Sequence, residues 1–269
     1  MRRKVVRQMF KLMKYELRKM RTMLLAMLGA LVVLEAGYLI GDKIEDYRIV
    51  GVSIGLLTVL VFVVYVYILI AGITSYSREI NDKTGYLTFM VPVSPMGIVV
   101  SKLLFTVLAA LAITALFGGA VYYDYARLFK EIDMSADDLR QLDFAFSMFT
   151  GSMGANVSLT KVILTLAFEF GTVLIEIILV MCTAYLAITL TATLLQNKKG
   201  FLRFLVALVL FVALNFVTSR VSGLVVKDTL PSTTEELLRM LGAQAAVHFG
   251  FAAVFAGASA WLLDRKVSL

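Results

Sequence analysis

The sequence predicts an all-α integral membrane protein, with six transmembrane helices preceded by an amphipathic helix in the membrane interface. Three observations point there. The first is composition: of 269 residues, 60% are hydrophobic and 17% charged, whereas soluble domains carry roughly 25% charged residues. The second is charge spacing. Residues 49–77, 103–123, 177–197 and 240–263 contain no Asp, Glu, Lys or Arg. Each run is long enough to cross a hydrocarbon core of about 30 Å at about 1.5 Å per residue. The third is an asymmetry between alternating loops. With the N-terminus inside, the inner segments hold 17 of the 26 Lys and Arg and the outer segments nine. That is the positive-inside pattern of a multi-pass protein of the cytoplasmic membrane with both termini cytoplasmic.

Composition also excludes function classes. A net charge of +7 could suit nucleic acid, but its concentration in the inner segments assigns it to the membrane surface instead. The single cysteine, Cys182, rules out a disulfide within the chain and argues against a thiolate metal site. His248 has no second ligand evident nearby and reads as a packed, hydrogen-bonded residue, so no metal is expected. The basic N-terminus is too long for a signal peptide, and no small-x-small cleavage site follows it.

Residues 2–21 read as the interfacial helix. At about 100° per residue, Val5, Val6, Met9, Phe10, Leu12, Met13, Leu17 and Met20 share one arc, while Arg3, Lys4, Arg7, Lys11, Lys14, Arg18 and Arg21 lie opposite. Such a helix rests its apolar side in the acyl boundary and its cations among anionic lipid headgroups. Glu16 breaks the pattern by pointing into the apolar arc. Either it reaches sideways to Lys19, or it meets a cation of the bundle and anchors the helix to it.

The first span, 22–40, carries Glu35 well inside the membrane. A carboxylate there must face the bundle interior, a partner or water, either lining a pathway or hydrogen-bonded to a neighbouring helix. The second span, 49–77, exceeds what the membrane needs and so tilts or projects. Its Gly51-x-x-x-Gly55 motif permits close helix contact. Residues 78–96 form a cytoplasmic loop. Arg78 and Glu79 leave the membrane, Gly85 breaks or caps the helix, and Pro92 and Pro95 turn the chain back. Tyr86, Leu87 and Phe89 place large apolar groups on a polar loop. They read as a protein contact or as aromatics resting in the lipid interface.

The third span, 103–122, follows Lys102 and ends in a tyrosine belt. A large extracellular loop, 123–157, contains an acidic segment around Ser135 that reads as a short helix, either a solvated face or an element meeting cationic substrates. The fourth span, 174–195, leaves Glu169 and Glu176 on one helical face near the outer boundary, as surface or gate acids. The fifth, 201–221, has Asn215 as its internal polar residue. The sixth, 240–263, carries a small-residue stripe at Ala252, Ala256 and Ala260 suited to tight packing. All of this is read as one transmembrane domain, 1–269.

Arg78-Glu79, Thr84-Gly85-x-Leu87, Pro92-Val93-Ser94 and Lys102 together resemble the cytoplasmic loop of ABC-2 type transporter permeases, the membrane subunits of ABC exporters with the type V fold. Tyr15-Glu16-Leu17-Arg18-Lys19 is similar to that family's elbow helix, and Leu262-Leu263 with Lys266-Val267-Ser268-Leu269 to its C-terminus. The resemblance covers nearly the whole chain. Tyr86 departs from it, standing where a small Thr is frequent, as does Pro95, where a basic residue is frequent.

The resemblance implies that 78–96 docks on a separate ABC-type ATPase, two copies per complex, through Arg78, Glu79, Lys83, Thr84, Gly85, Tyr86, Leu87 and Phe89. It implies a second permease, identical or homologous, and export of a peptide or amphipathic small molecule. ATP and Mg are expected in the ATPase, because this chain has no GxxxxGK[ST] loop. HExxH is absent too, so the chain is not expected to be an enzyme by itself. The alternative is a membrane sensor or assembly protein using the same loop to bind a cytosolic partner.

Overall fold

The computed structural model describes residues 2–81, 94–131, 159–195, 200–226 and 234–266. These form six α-helices: α1 (Arg2–Lys43), α2 (Tyr47–Asn81), α3 (Pro95–Glu131), α4 (Leu159–Leu194), α5 (Gly200–Val225) and α6 (Thr234–Lys266). Each contains a stretch long and apolar enough to cross a membrane, consistent with a multi-pass membrane protein. Helix packing divides the chain into two compact units, 1–122 and 123–268.

The boundaries differ from expectation in three places. The segment read as an interfacial helix and the one read as the first span are one unbroken helix of 42 residues, with no break between 21 and 22. No Gly or Pro precedes Gly29, so nothing in the backbone chemistry interrupts it. The third helix continues past 122 to Glu131, and the fourth begins at Leu159, not near 174. A membrane boundary ends an apolar run, but it does not end a helix. The acidic segment around Ser135 lies outside the described residues.

In the first unit, α1 and α2 form a hairpin. Its turn is closed by Glu45 N donating to Asp42 O (3.2 Å) and Asp46 N to Gly41 O (2.9 Å). Glu45 takes a left-handed backbone conformation there (φ 57°). Asp46 then caps α2, its Oδ1 accepting from Arg48 N at 3.0 Å.

Gly41 lets the two helices approach: a Cβ there would lie 2.9 Å from Ile49 Cγ2 and 3.1 Å from the Val50 backbone nitrogen. Gly51 and Gly55 have nothing within 4 Å of their Cβ positions, so the close contact of this hairpin falls at Gly41 and not at the GxxxG motif. Gly41→Ala is expected to cost about 1–3 kcal/mol, because the backbone cannot yield. Gly51→Ala should be neutral or slightly stabilising. Unfolding midpoints in mixed micelles under SDS titration check both.

Met20 and Met27 of α1, Val64 and Ile68 of α2, and Phe105 and Ile113 of α3 form the buried apolar cluster of this unit. They recur at helical spacing and lie on inward faces. Lipid tails are as apolar as these side chains, so dispersion and hydrogen bonds hold such a bundle together more than the hydrophobic effect does. Tyr65 and Thr114 supply one such hydrogen bond, between α2 and α3. Ser94 and Pro95 start α3: the Ser94 Oγ accepts from Gly97 N at 3.2 Å, and Pro95 sits at the first helical position, where its missing N–H costs nothing.

In the second unit, α4 and α6 make the most extensive helix pair, with α5 against both. α4 is buried on all sides over 181–189. Small residues bring the pair together: Ala184 and Ala187 of α4 are buried, as are Ala252, Ala256, Ser259 and Ala260 of α6. The small-residue stripe therefore lies in the packed interior of this unit. Buried hydroxyls are satisfied within their own helices: Thr183 donates to Leu179 O (2.8 Å), Thr189 to Tyr185 O (2.8 Å) and Ser259 to Phe255 O (2.7 Å). At the end of α4, Arg203 Nε donates to Leu195 O at 2.8 Å, placing a cation at the negative end of the helix dipole.

Candidate functional site

Two polar constellations stand out in this apolar molecule, one in each unit. The first is built around Lys102, on the third turn of α3, whose side chain is 6% exposed. A buried ammonium has three N–H groups to satisfy. Here they reach Glu16 Oε1 (2.9 Å), Ser75 Oγ (2.8 Å) and Glu79 Oε1 (2.9 Å). Ser75 in turn donates to Glu16 Oε1 at 2.7 Å.

One lysine thus joins three helices: Glu16 from α1, Ser75 and Glu79 from α2, and itself from α3. Ser75 and Glu79 are four apart, so they share a helical face. Lys19 stands 3.8 Å from Glu16. Both contacts weighed for Glu16 are therefore present, and the one to Lys102 is the shorter. Glu79 Oε2 is buried with no hydrogen-bond partner among the described residues. The arrangement is that of a charge-assisted clamp.

The second constellation is a cleft of about 520 Å³ where the middle of α4, the C-terminal half of α5 and the N-terminal half of α6 converge. Glu176, Asn215, Ser219, Ser222, Gln244 and His248 line it, together with Leu179, Val180 and Val226. The spacing explains the convergence. Positions 215, 219 and 222 lie along one stripe of α5, and 244 and 248 along one stripe of α6. Asn215 Nδ2 donates to Phe211 O at 2.8 Å and Thr218 Oγ1 to Leu214 O at 2.9 Å. Gln244 Nε2 makes a longer contact, 3.3 Å, with Glu176 Oε1.

Among the residues singled out from sequence, the structure brings Glu16 and Glu79 together in the clamp, and Glu176 and Asn215 in the cleft. Glu35 is half-buried on α1 and belongs to neither. Arg78 is on the last turn of α2. Glu169 lies on α4, but its side chain is outside the described set. Lys83, Thr84, Gly85, Tyr86, Leu87 and Phe89 fall in 82–93, also outside the described residues.

Sequence reasoning missed Ser75 as a member of the clamp, and Ser219, Ser222, Gln244 and His248 as members of a cleft. The signals were faint. Ser75 and Glu79 are a polar i, i+4 pair at the end of an apolar run. Gln244 and His248 are another such pair at the start of one. An apolar cavity of about 510 Å³ also lies between α1 and α3, walled by Met27, Leu31, Phe105 and Ile113 among others.

Comparison of the chain with protein families, with curated proteins and with solved structures returns no match.

Proposed function

We propose that this chain is the permease subunit of an ATP-binding cassette exporter of the ABC-2 type, driven by a separate ATPase that docks on residues 78–96. The observation that carries this reading is the Lys102 clamp. Glu79 lies three residues before the segment 82–93 and Lys102 nine residues after it. Their 2.9 Å contact ties the two ends of the loop together, and Glu16 adds α1 to the same point. Force applied to such a loop is shared by three helices at once, which is what a transmission point requires. A loop that only reverses the chain direction needs no buried three-way ion cluster beside it.

On this reading both termini are cytoplasmic and the membrane is the cytoplasmic membrane. A second permease copy, or a homologous chain, completes the pathway. ATP and Mg are held by the two ATPase subunits, and their closure moves the loop and reorients the helices between inward and outward states. The cargo is a peptide or an amphipathic small molecule.

The test is purification of the chain from its native membrane in mild detergent, with identification of every co-purifying protein by mass spectrometry. A stoichiometric ABC-type ATPase is the expected result, and a second permease-like chain beside it would indicate a heterodimer. Recovery of the chain alone, or with cytosolic partners that hydrolyse no ATP, would overturn the proposal in favour of a sensor or assembly protein.

A further inference from the structure

We propose that the cleft of the second unit is a binding site for an amphipathic organic cation, an amine of drug-like size carrying a hydrophobic body. At about 520 Å³ the cleft falls within the range of small-molecule sites, roughly 300–1,000 Å³. Polar side chains inside a membrane helix bundle are expensive unless they pair or line a cavity. Here three helices turn theirs toward the same space.

The hydrogen-bonding inventory gives the ligand's polarity. Asn215 spends one amide N–H, and Thr218 its hydroxyl hydrogen, on their own helix, to Phe211 O and Leu214 O. Asn215 keeps its carbonyl oxygen and a second N–H, and Thr218 keeps the acceptor side of its hydroxyl. Glu176 is the one carboxylate lining the cleft, and no Lys or Arg lines it, among the described residues. Its contact with Gln244, at 3.3 Å, is too long to be strong, and an ammonium displaces it at little cost. The cleft's amide and hydroxyl groups can donate or accept, and its one carboxylate, Glu176, makes a charged donor the matching ligand.

One carboxylate is too few for Ca²⁺ or Mg²⁺, which require several charged or carbonyl oxygens. Leu179, Val180 and Val226 supply an apolar wall, which a small hydrated cation would not use. The role of this site as a cargo site rests on the permease reading, whereas binding itself does not.

The experiment uses the full chain in nanodiscs of zwitterionic phosphatidylcholine and follows the fluorescence of dansylcadaverine, a primary ammonium on an aromatic body. N-acetylated dansylcadaverine serves as the neutral control. Wild type is expected to bind the ammonium probe more tightly than the neutral one. Glu176→Gln should weaken the ammonium probe by about tenfold or more, the scale of one charge-assisted hydrogen bond, and leave the neutral probe unchanged. Ser222→Leu fills the cleft and should weaken both, with an unchanged thermal unfolding profile showing that it folds.

Equal binding of the ammonium probe by wild type and Glu176→Gln would overturn the proposal, as would a signal no larger than in empty nanodiscs. No ATPase takes part. Failure to capture an ATPase therefore removes the permease reading and leaves the binding result standing, and failure to bind the probe removes the cleft assignment alone.

Discussion

Lys102→Met is expected to destabilise the first unit by about 3–5 kcal/mol, the cost of leaving buried charges without their partner. Lys102 is the only cation within 3 Å of either Glu16 or Glu79 among the described residues. Removing it leaves two carboxylates facing each other across the same small space. Lys19, at 3.8 Å from Glu16 and on an exposed side chain, offsets little of that.

Companion substitutions separate charge from packing. Glu16→Gln keeps Lys102 paired with Glu79 and should cost about 1–3 kcal/mol, the range for a single buried hydrogen bond to a charge. The triple change Lys102→Met, Glu16→Gln, Glu79→Gln removes every charge of the clamp and should recover much of the lost stability, since a neutral cluster carries no uncompensated ion. SDS-titration midpoints of the purified chain rank the variants. A Lys102→Met chain that unfolds at the wild-type midpoint would show that the cluster holds nothing together, and the proposed transmission point would go with it.

On the permease reading, Leu87→Asp is expected to release the ATPase while the chain still inserts and folds. A buried apolar anchor at the centre of a protein contact contributes at least about 2 kcal/mol when lost, or roughly 30-fold in Kd, and a carboxylate in its place adds desolvation. Gly85→Pro should act in the same direction by denying the loop its backbone conformation. Quantitative recovery of the ATPase with each variant, at matched levels of membrane-inserted chain, reads the effect. Wild-type recovery with both would detach 78–96 from its assigned role without touching the six-helix architecture.

On the permease reading the two sets of variants report on different parts of the same device: Lys102→Met keeps the proposed docking surface and loosens what stands behind it. Leu87→Asp keeps the clamp and removes the handle. On the permease reading Lys102→Met binds the ATPase but transports poorly, whereas Leu87→Asp does neither.

The six spans were legible because hydrocarbon thickness sets helix length directly: about 20 apolar residues without a charge leave few alternatives. Helix ends beyond the membrane were not. Nothing apolar marks where α3 stops at Glu131 or α4 starts at Leu159, and in water those ends depend on capping and local propensity. The change from a basic amphipathic pattern to an apolar one near residue 22 was equally plain, but a change of face composition is not a break. With no Gly or Pro before Gly29, α1 runs through it.

The sequence by itself determined that this is a helical membrane chain with six spans, and that Glu16, Glu35 and Asn215 are polar groups in places where polarity is costly. A carboxylate in an apolar arc announces that it has a partner, because burying it alone would be prohibitive. Tertiary structure alone decided who the partners are. Glu16 meets Lys102 across 86 residues, and Glu176, Asn215 and His248 meet from three helices. Helical periodicity assigns each residue a face, but which faces meet depends on how the helices rotate and pack. That is set by contacts such as Gly41 against Ile49 and Ala252 within the packed interior of α4 and α6, each too small a signal to read before the helices are assembled.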